Sequence, residues 1–192
     1  MKVLILGIAF LTATVKIEGQ KAIRTAAVTQ CTMLSTGPHY NGLSKREHFY
    51  LLDTMLILLA ERYHIDEITV LQKDSVALNN SSWKGIGKFR KADRQLLNGK
   101  QYDYYIKIYT DYWVSGLLGG GIANTAQPKL TIDIAVFDSN GKRIWFPDSK
   151  AKGGLAFGNT ISSPTYYSNA EERKNDYLEL FRKGIAKIFR QH

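Results

Sequence analysis

A chain of 192 residues with 44% hydrophobic and 22% charged residues is long enough for one packed core and too apolar for general disorder. A formal net charge of +9 excludes an acidic solvating protein and favours anionic partners: lipid headgroups, anionic glycans or nucleic acid. Cys31 is the single cysteine, so no disulfide forms within the sequence, and no local histidine pairing marks it as a nucleophile. A buried structural role is expected for it.

The amino terminus reads as a leader. Met1-Lys2 precedes an apolar run, Val3 to Val15, too short to span a bilayer, and Gly19 is the best small residue before a cleavage point. Residues 1–19 are therefore expected as a signal peptide and 20–192 as a single domain, periplasmic or secreted, with no transmembrane helix in the mature chain. The competing reading makes VLILGIAF a buried first strand.

Beyond the leader, Ala22 to Met33 is rich in small and β-branched residues and suits a strand. Gly37-Pro38 and Asn41-Gly42 mark a loop. Ser44, with Glu47 three residues on, opens a helix to about Tyr63 through a capping box, and Leu52, Met55, Leu56, Leu59 and Tyr63 form its stripe, widened by Leu51 and Leu58. Ile65 to Leu71 is the next strand. The second half of Trp83 to Lys100 is predicted helical, with Phe89, Ala92 and Leu96 on one side and Gly99 as its stop.

From Gln101 to Phe146 the pattern changes to period two. Tyr104, Ile106, Ile108, Tyr112 and Val114 alternate, then Leu130, Ile132, Ile134 and Val136, and Asp138-Ser139-Asn140-Gly141 leads into a third apolar run. That is an antiparallel meander. Ser168 and Glu171 repeat the capping-box spacing before a last helix with Leu178, Phe181, Ile185 and Ile188 on one face. The order is β-α-β-α-β-β-β-α, with an optional strand near 153–158. The fold class expected is α+β: a mixed sheet, the meander in the C-terminal half, and helices over one face.

The phrases YDYYIKIYTDYW and LTIDIAVFDSNGKRIW, in this element order, resemble a group of bacterial envelope domains. The group includes the amino-terminal domain of the Tol-Pal propeller protein, the periplasmic domain of the curli-secretion lipoprotein, and outer-membrane activators of penicillin-binding proteins. The resemblance spans most of 22–192 and implies a non-catalytic assembly or interaction module. It departs from the group at the lipid-anchor cysteine, because Val28-Thr29-Gln30 before Cys31 lacks the small residues that lipoprotein processing needs.

Three clusters carry candidate chemistry. Lys84, Lys88, Arg90, Lys91, Arg94 and Lys100 stand against one acid, Asp93, a local excess of +5 (6 − 1). On the outer face of a helix they suit an anionic lipid or glycan surface, or an acidic patch on an envelope protein. Tyr105, Tyr109 and Trp113 alternate opposite to the core set and form a candidate aromatic surface for stacking on sugars or a peptide. Lys107, Asp111 and Asp133 share that side; with the strands paired near 111 and 133, two carboxylates under aromatics would suit glycoside hydrolysis. Cross-strand ion pairing explains them equally well.

The glycine-rich link Ser115 to Pro128 lacks the Gly-Lys-Ser/Thr ending of a phosphate loop, and the four histidines have no metal spacing. No cofactor or metal is expected. The leading expectation is an exported envelope binding or assembly module without catalytic activity. The alternatives are a hydrolase of envelope glycans using Asp111 and Asp133, and a cytoplasmic nucleic-acid-binding domain if the leader is retained.

Overall fold

Hydrophobic alternation in the middle of the chain becomes two long paired strands at the centre of the sheet. The computed structural model describes residues 22–35, 43–71, 86–115, 127–147, 159–162 and 170–190. Its elements are β1 (Thr25–Ser35), α1 (Lys45–Tyr63), β2 (Glu67–Val70), α2 (Lys91–Leu96), β3 (Tyr104–Ser115), β4 (Gln127–Asp138), β5 (Arg143–Trp145), β6 (Asn159–Ser162) and α3 (Ala170–Arg190). The leader, the link 116–126, Ser168 and the optional strand at 153–158 lie outside the described residues. No helix among those described is long and apolar enough to cross a membrane.

The sheet is mixed, as expected, in the order β2-β1-β3-β4-β5, with β6 also paired to β4. β1 runs parallel to β2 and β3, while β4 runs antiparallel to β3, β5 and β6. In β1 the register shifts between Val28 and Gln30, so Thr29 is an extra residue. That bulge switches the apolar parity: Ala26 and Val28 before it, and Cys31 and Met33 after it, all join one core. Burial pushes the Cys31 thiol up to about 12, which makes it inert packing.

On this side of the sheet α1 and α3 cover Ile106, Ile108, Tyr112, Leu130, Ile132, Ile134 and Val136. The stripe of α1 is buried where the spacing placed it, at Leu51, Leu52, Met55, Leu56 and Leu59. Its capping box is formed: the Glu47 N–H donates to Ser44 Oγ at 3.3 Å, and the Ser44 N–H donates to Glu47 Oε2 at 2.8 Å. Lys174 of α3 pairs with Glu47 and, together with these Ser44 bonds, holds its carboxyl down to about 2. His64, left-handed at φ 53°, ends α1 and turns the chain into β2.

The helices do not all lie on one face. Residues 86–102, including α2, cross to the opposite side, where Ile86, Leu97, Tyr105, Tyr109, Ala135 and Phe137 form a second, smaller core. The expected inner side of this helix is corrected as well. Ala92 and Leu96 face solvent, Phe89 precedes the helix, and Asp93 and Leu97 point inward. The physical reason is a buried lysine in β3.

Candidate functional site

Lys107 projects from β3 on the side away from α1 and α3, opposite Ala135, and is 1% exposed. An ammonium so placed requires acceptors. Asp93 supplies one, its Oδ2 lying 2.6 Å from Lys107 Nζ, and the Lys88 carbonyl accepts a second bond at 2.9 Å. The same Asp93 oxygen accepts the Arg90 N–H at 2.6 Å, which closes the first turn of α2. Burial draws the Lys107 pKa down, and the Asp93 carboxylate opposes that shift. One buried pair thus fixes 88–93 on the sheet.

The consequence for charge is direct. Asp93 is the single acid between Lys84 and Lys100, and it is turned inward and matched. Lys88, Arg90, Lys91, Arg94 and Lys100 are all exposed around it. Lys84 lies outside the described residues. The β4–β5 turn extends this surface: the Arg94 guanidinium donates to the Asn140 carbonyl at 3.2 Å and lies over the Phe89 ring, and Lys142 and Arg143 are exposed beside it. Arg143 donates to the Gly87 carbonyl at 3.4 Å. Sequence reasoning missed Lys142 and Arg143, which are distant in the chain. The turn signal Asp138-Ser139-Asn140-Gly141 was the available clue, because a tight hairpin brings 142–143 back beside β4.

The aromatic surface is corrected. Tyr105 and Tyr109 are buried, at 3% and 6% exposure. Phe89 stacks on Tyr105 with ring centroids 4.6 Å apart and leans on Phe137 at 5.7 Å, and Tyr102 meets Tyr105 edge-on. Apolar residues of 86–102 thus close over rings that alternation alone left open. The side chain of Trp113 lies outside the described residues.

The two carboxylates share a side, in a register two residues from the expected one. Tyr109 pairs with Asp133, and Asp111 pairs with Thr131, so the aspartates are diagonal neighbours. Asp133 is 7% exposed, its Oδ1 has no hydrogen-bond partner among the described residues, and burial pushes its pKa up to about 6. The Tyr109 hydroxyl donates to Asp111 Oδ2 over 3.4 Å, and burial followed by the Asp111 charge raises the phenol pKa. Its burial leaves little of the Asp133 carboxyl open to solvent. No group of three or more acidic, histidine or cysteine side chains suited to a metal occurs among the described residues.

No family model matches the sequence, and no curated protein matches it. Solved structures similar to this chain include two bacterial proteins. One is lipoprotein GNA1162 from Neisseria meningitidis, at 16% identity and TM-score 0.38, covering 86% of this chain and 99% of that one. The other is the hypothetical protein CT253 from Chlamydia trachomatis, at 9% identity and TM-score 0.33, covering 88% and 96%. The three particular families that the strand phrases resemble are not borne out by a family model.

Proposed function

We propose that the chain is a non-catalytic binding or assembly module of the bacterial envelope that engages an anionic partner through Lys88, Arg90, Lys91, Arg94 and Lys100. One observation carries this reading: the acid that would temper the cluster is paired with Lys107, and among the described residues no ion pair holds Lys88, Arg90, Lys91, Arg94 or Lys100. A cation face held in register by a buried pair and a second core differs from cations on a free helix. Its backbone is positioned before binding, so less ordering of the segment is required on contact. The leader motif supports an exported location for this activity.

The hydrolase reading is weaker. It has the carboxylates on one side of the sheet, yet a substrate would have to reach Asp133 beneath its cover. Replacing Lys88, Arg90, Lys91 and Arg94 together by glutamine tests the proposal. Binding to vesicles containing anionic lipid should fall at least tenfold, on the order of 1 kcal/mol or less per cation. Unchanged binding by the folded variant contradicts it.

A further inference from the structure

The basic face lies on one side of the sheet, and cations also gather on the other side, where α1 and α3 end. Arg62, in the last turn of α1, lies over Trp145 of β5, 4.9 Å from the ring centroid. Phe189, next to Arg190 at the end of α3, packs on the same ring at 5.4 Å. Toward its end α3 carries Arg182, Lys187 and Arg190, while Lys183 is paired with Glu179 at 2.6 Å. Arg143 of β5 reaches the opposite way, onto Gly87 and over the Phe146 ring at 5.2 Å.

A bulge makes this possible. Arg143 pairs with Phe137 and Trp145 pairs with Val136, so three residues of β5 face two of β4. Arg143 therefore serves the second core's side and Trp145 the first, although a regular strand would put both on one side. The residue left over is Ile144, without a partner in the ladder and 44% exposed. β5 is the last strand in its direction along the sheet. It carries Arg143 toward one side and, through the Trp145 ring, Arg62 toward the other, with an exposed aliphatic side chain between them.

A lone exposed isoleucine is ordinary on a protein surface. An exposed isoleucine that follows Lys142 and Arg143, with Arg62 over the neighbouring Trp145 ring and Arg190 next to the Phe189 that packs on that ring, combines the parts of a membrane-interface contact, where cations meet headgroup phosphates and an apolar tip enters the acyl boundary. A soluble polyanion would satisfy the cations and leave Ile144 in water. We infer that the β5 end of the sheet is the surface that seats on a bilayer containing anionic lipid, with Ile144 as its apolar contact. The inference rests on the anionic-partner reading and names that partner as a bilayer.

The test uses the full chain with vesicles containing phosphatidylglycerol, vesicles of phosphatidylcholine alone, and heparin as a soluble polyanion. Ile144→Ser should weaken binding to the anionic vesicles about fivefold and leave heparin binding unchanged. Arg143→Gln with Arg190→Gln should also weaken vesicle binding, and it decides the matter if Ile144→Ser does not fold. Wild-type affinity for vesicles in whichever of these variants folds overturns the inference, as does wild-type protein that binds heparin and not vesicles. If only the Lys88, Arg90, Lys91 and Arg94 variant loses vesicles, the functional reading stands and this inference fails. Wild-type protein that binds neither ligand ends both.

Discussion

Lys107 and Asp93 form a buried ion pair, 2.6 Å apart, that ties the basic segment to the sheet. Removing one partner leaves the other charge buried and unmatched, which costs about 3–5 kcal/mol in comparable sites. Lys107→Met and Asp93→Asn should each lower stability by that order, measured by urea unfolding. Asparagine keeps an oxygen for the Arg90 N–H, so the loss in Asp93→Asn reports mainly on the lysine. The double variant should be more stable than the sum of the single losses predicts. Additive losses would mean that the pair does not fix the segment.

Gly141 is required twice. Its φ of +80° belongs to the left-handed region, and a Cβ there would lie 2.6 Å from Phe89 Cδ1. Gly141→Ala should cost about 1–2 kcal/mol for the backbone alone, more where the ring cannot shift. Adding Phe89→Ala removes the clash, so Gly141→Ala should cost less in that background than in the wild type. An equal cost in both backgrounds would confine the effect to the turn.

Two buried groups give stability opposite slopes with pH. His48 is 1% exposed, its ring nitrogens have no hydrogen-bond partner among the described residues, and it meets Tyr177 edge-on. Burial lowers its pKa against the weaker pull of Glu47, so the unfolded chain binds the proton more readily. Stability from His48 is therefore complete above its ordinary value of 6.5 and falls as pH drops below it. Asp133 has the reverse sign. Its pKa is raised from 3.8 to about 6, so stability falls as pH rises through that window and stays lower above it.

The variants should separate these contributions. Relative to wild type, His48→Leu should lose the acid-side decline, and Asp133→Asn should lose the decline between pH 3.8 and about 6. Urea midpoints taken across that range check both signs. A variant whose pH profile runs parallel to the wild type would clear the corresponding residue of any part.

The long strands and helices were legible because their signals are local. Alternation in 104–114 and 130–136 and the Ser44–Glu47 cap lie within a few residues and survive in the structure. What escaped depends on distance. β1 breaks period two at Thr29, and nothing in TAAVTQCTM announces the bulge. The second core draws Ile86, Phe89 and Leu97 out of a cation-rich stretch onto Tyr105 and Phe137, so the aromatics looked like a surface. Asp93 looked like one acid among cations because its partner is in another element. The strand register differed by two residues, which preserves the shared side of Asp111 and Asp133 and changes only their opposite neighbours.

The central claim is that exposed cations held by the Lys107–Asp93 pair bind an anionic surface. It is tested most directly by vesicle binding of the wild type and of the Lys88, Arg90, Lys91 and Arg94 to glutamine variant over a series of salt concentrations. The account predicts wild-type affinity that falls steeply as salt rises, and a variant with weak binding and little salt dependence. Equal affinity and equal salt dependence in the two proteins would contradict it.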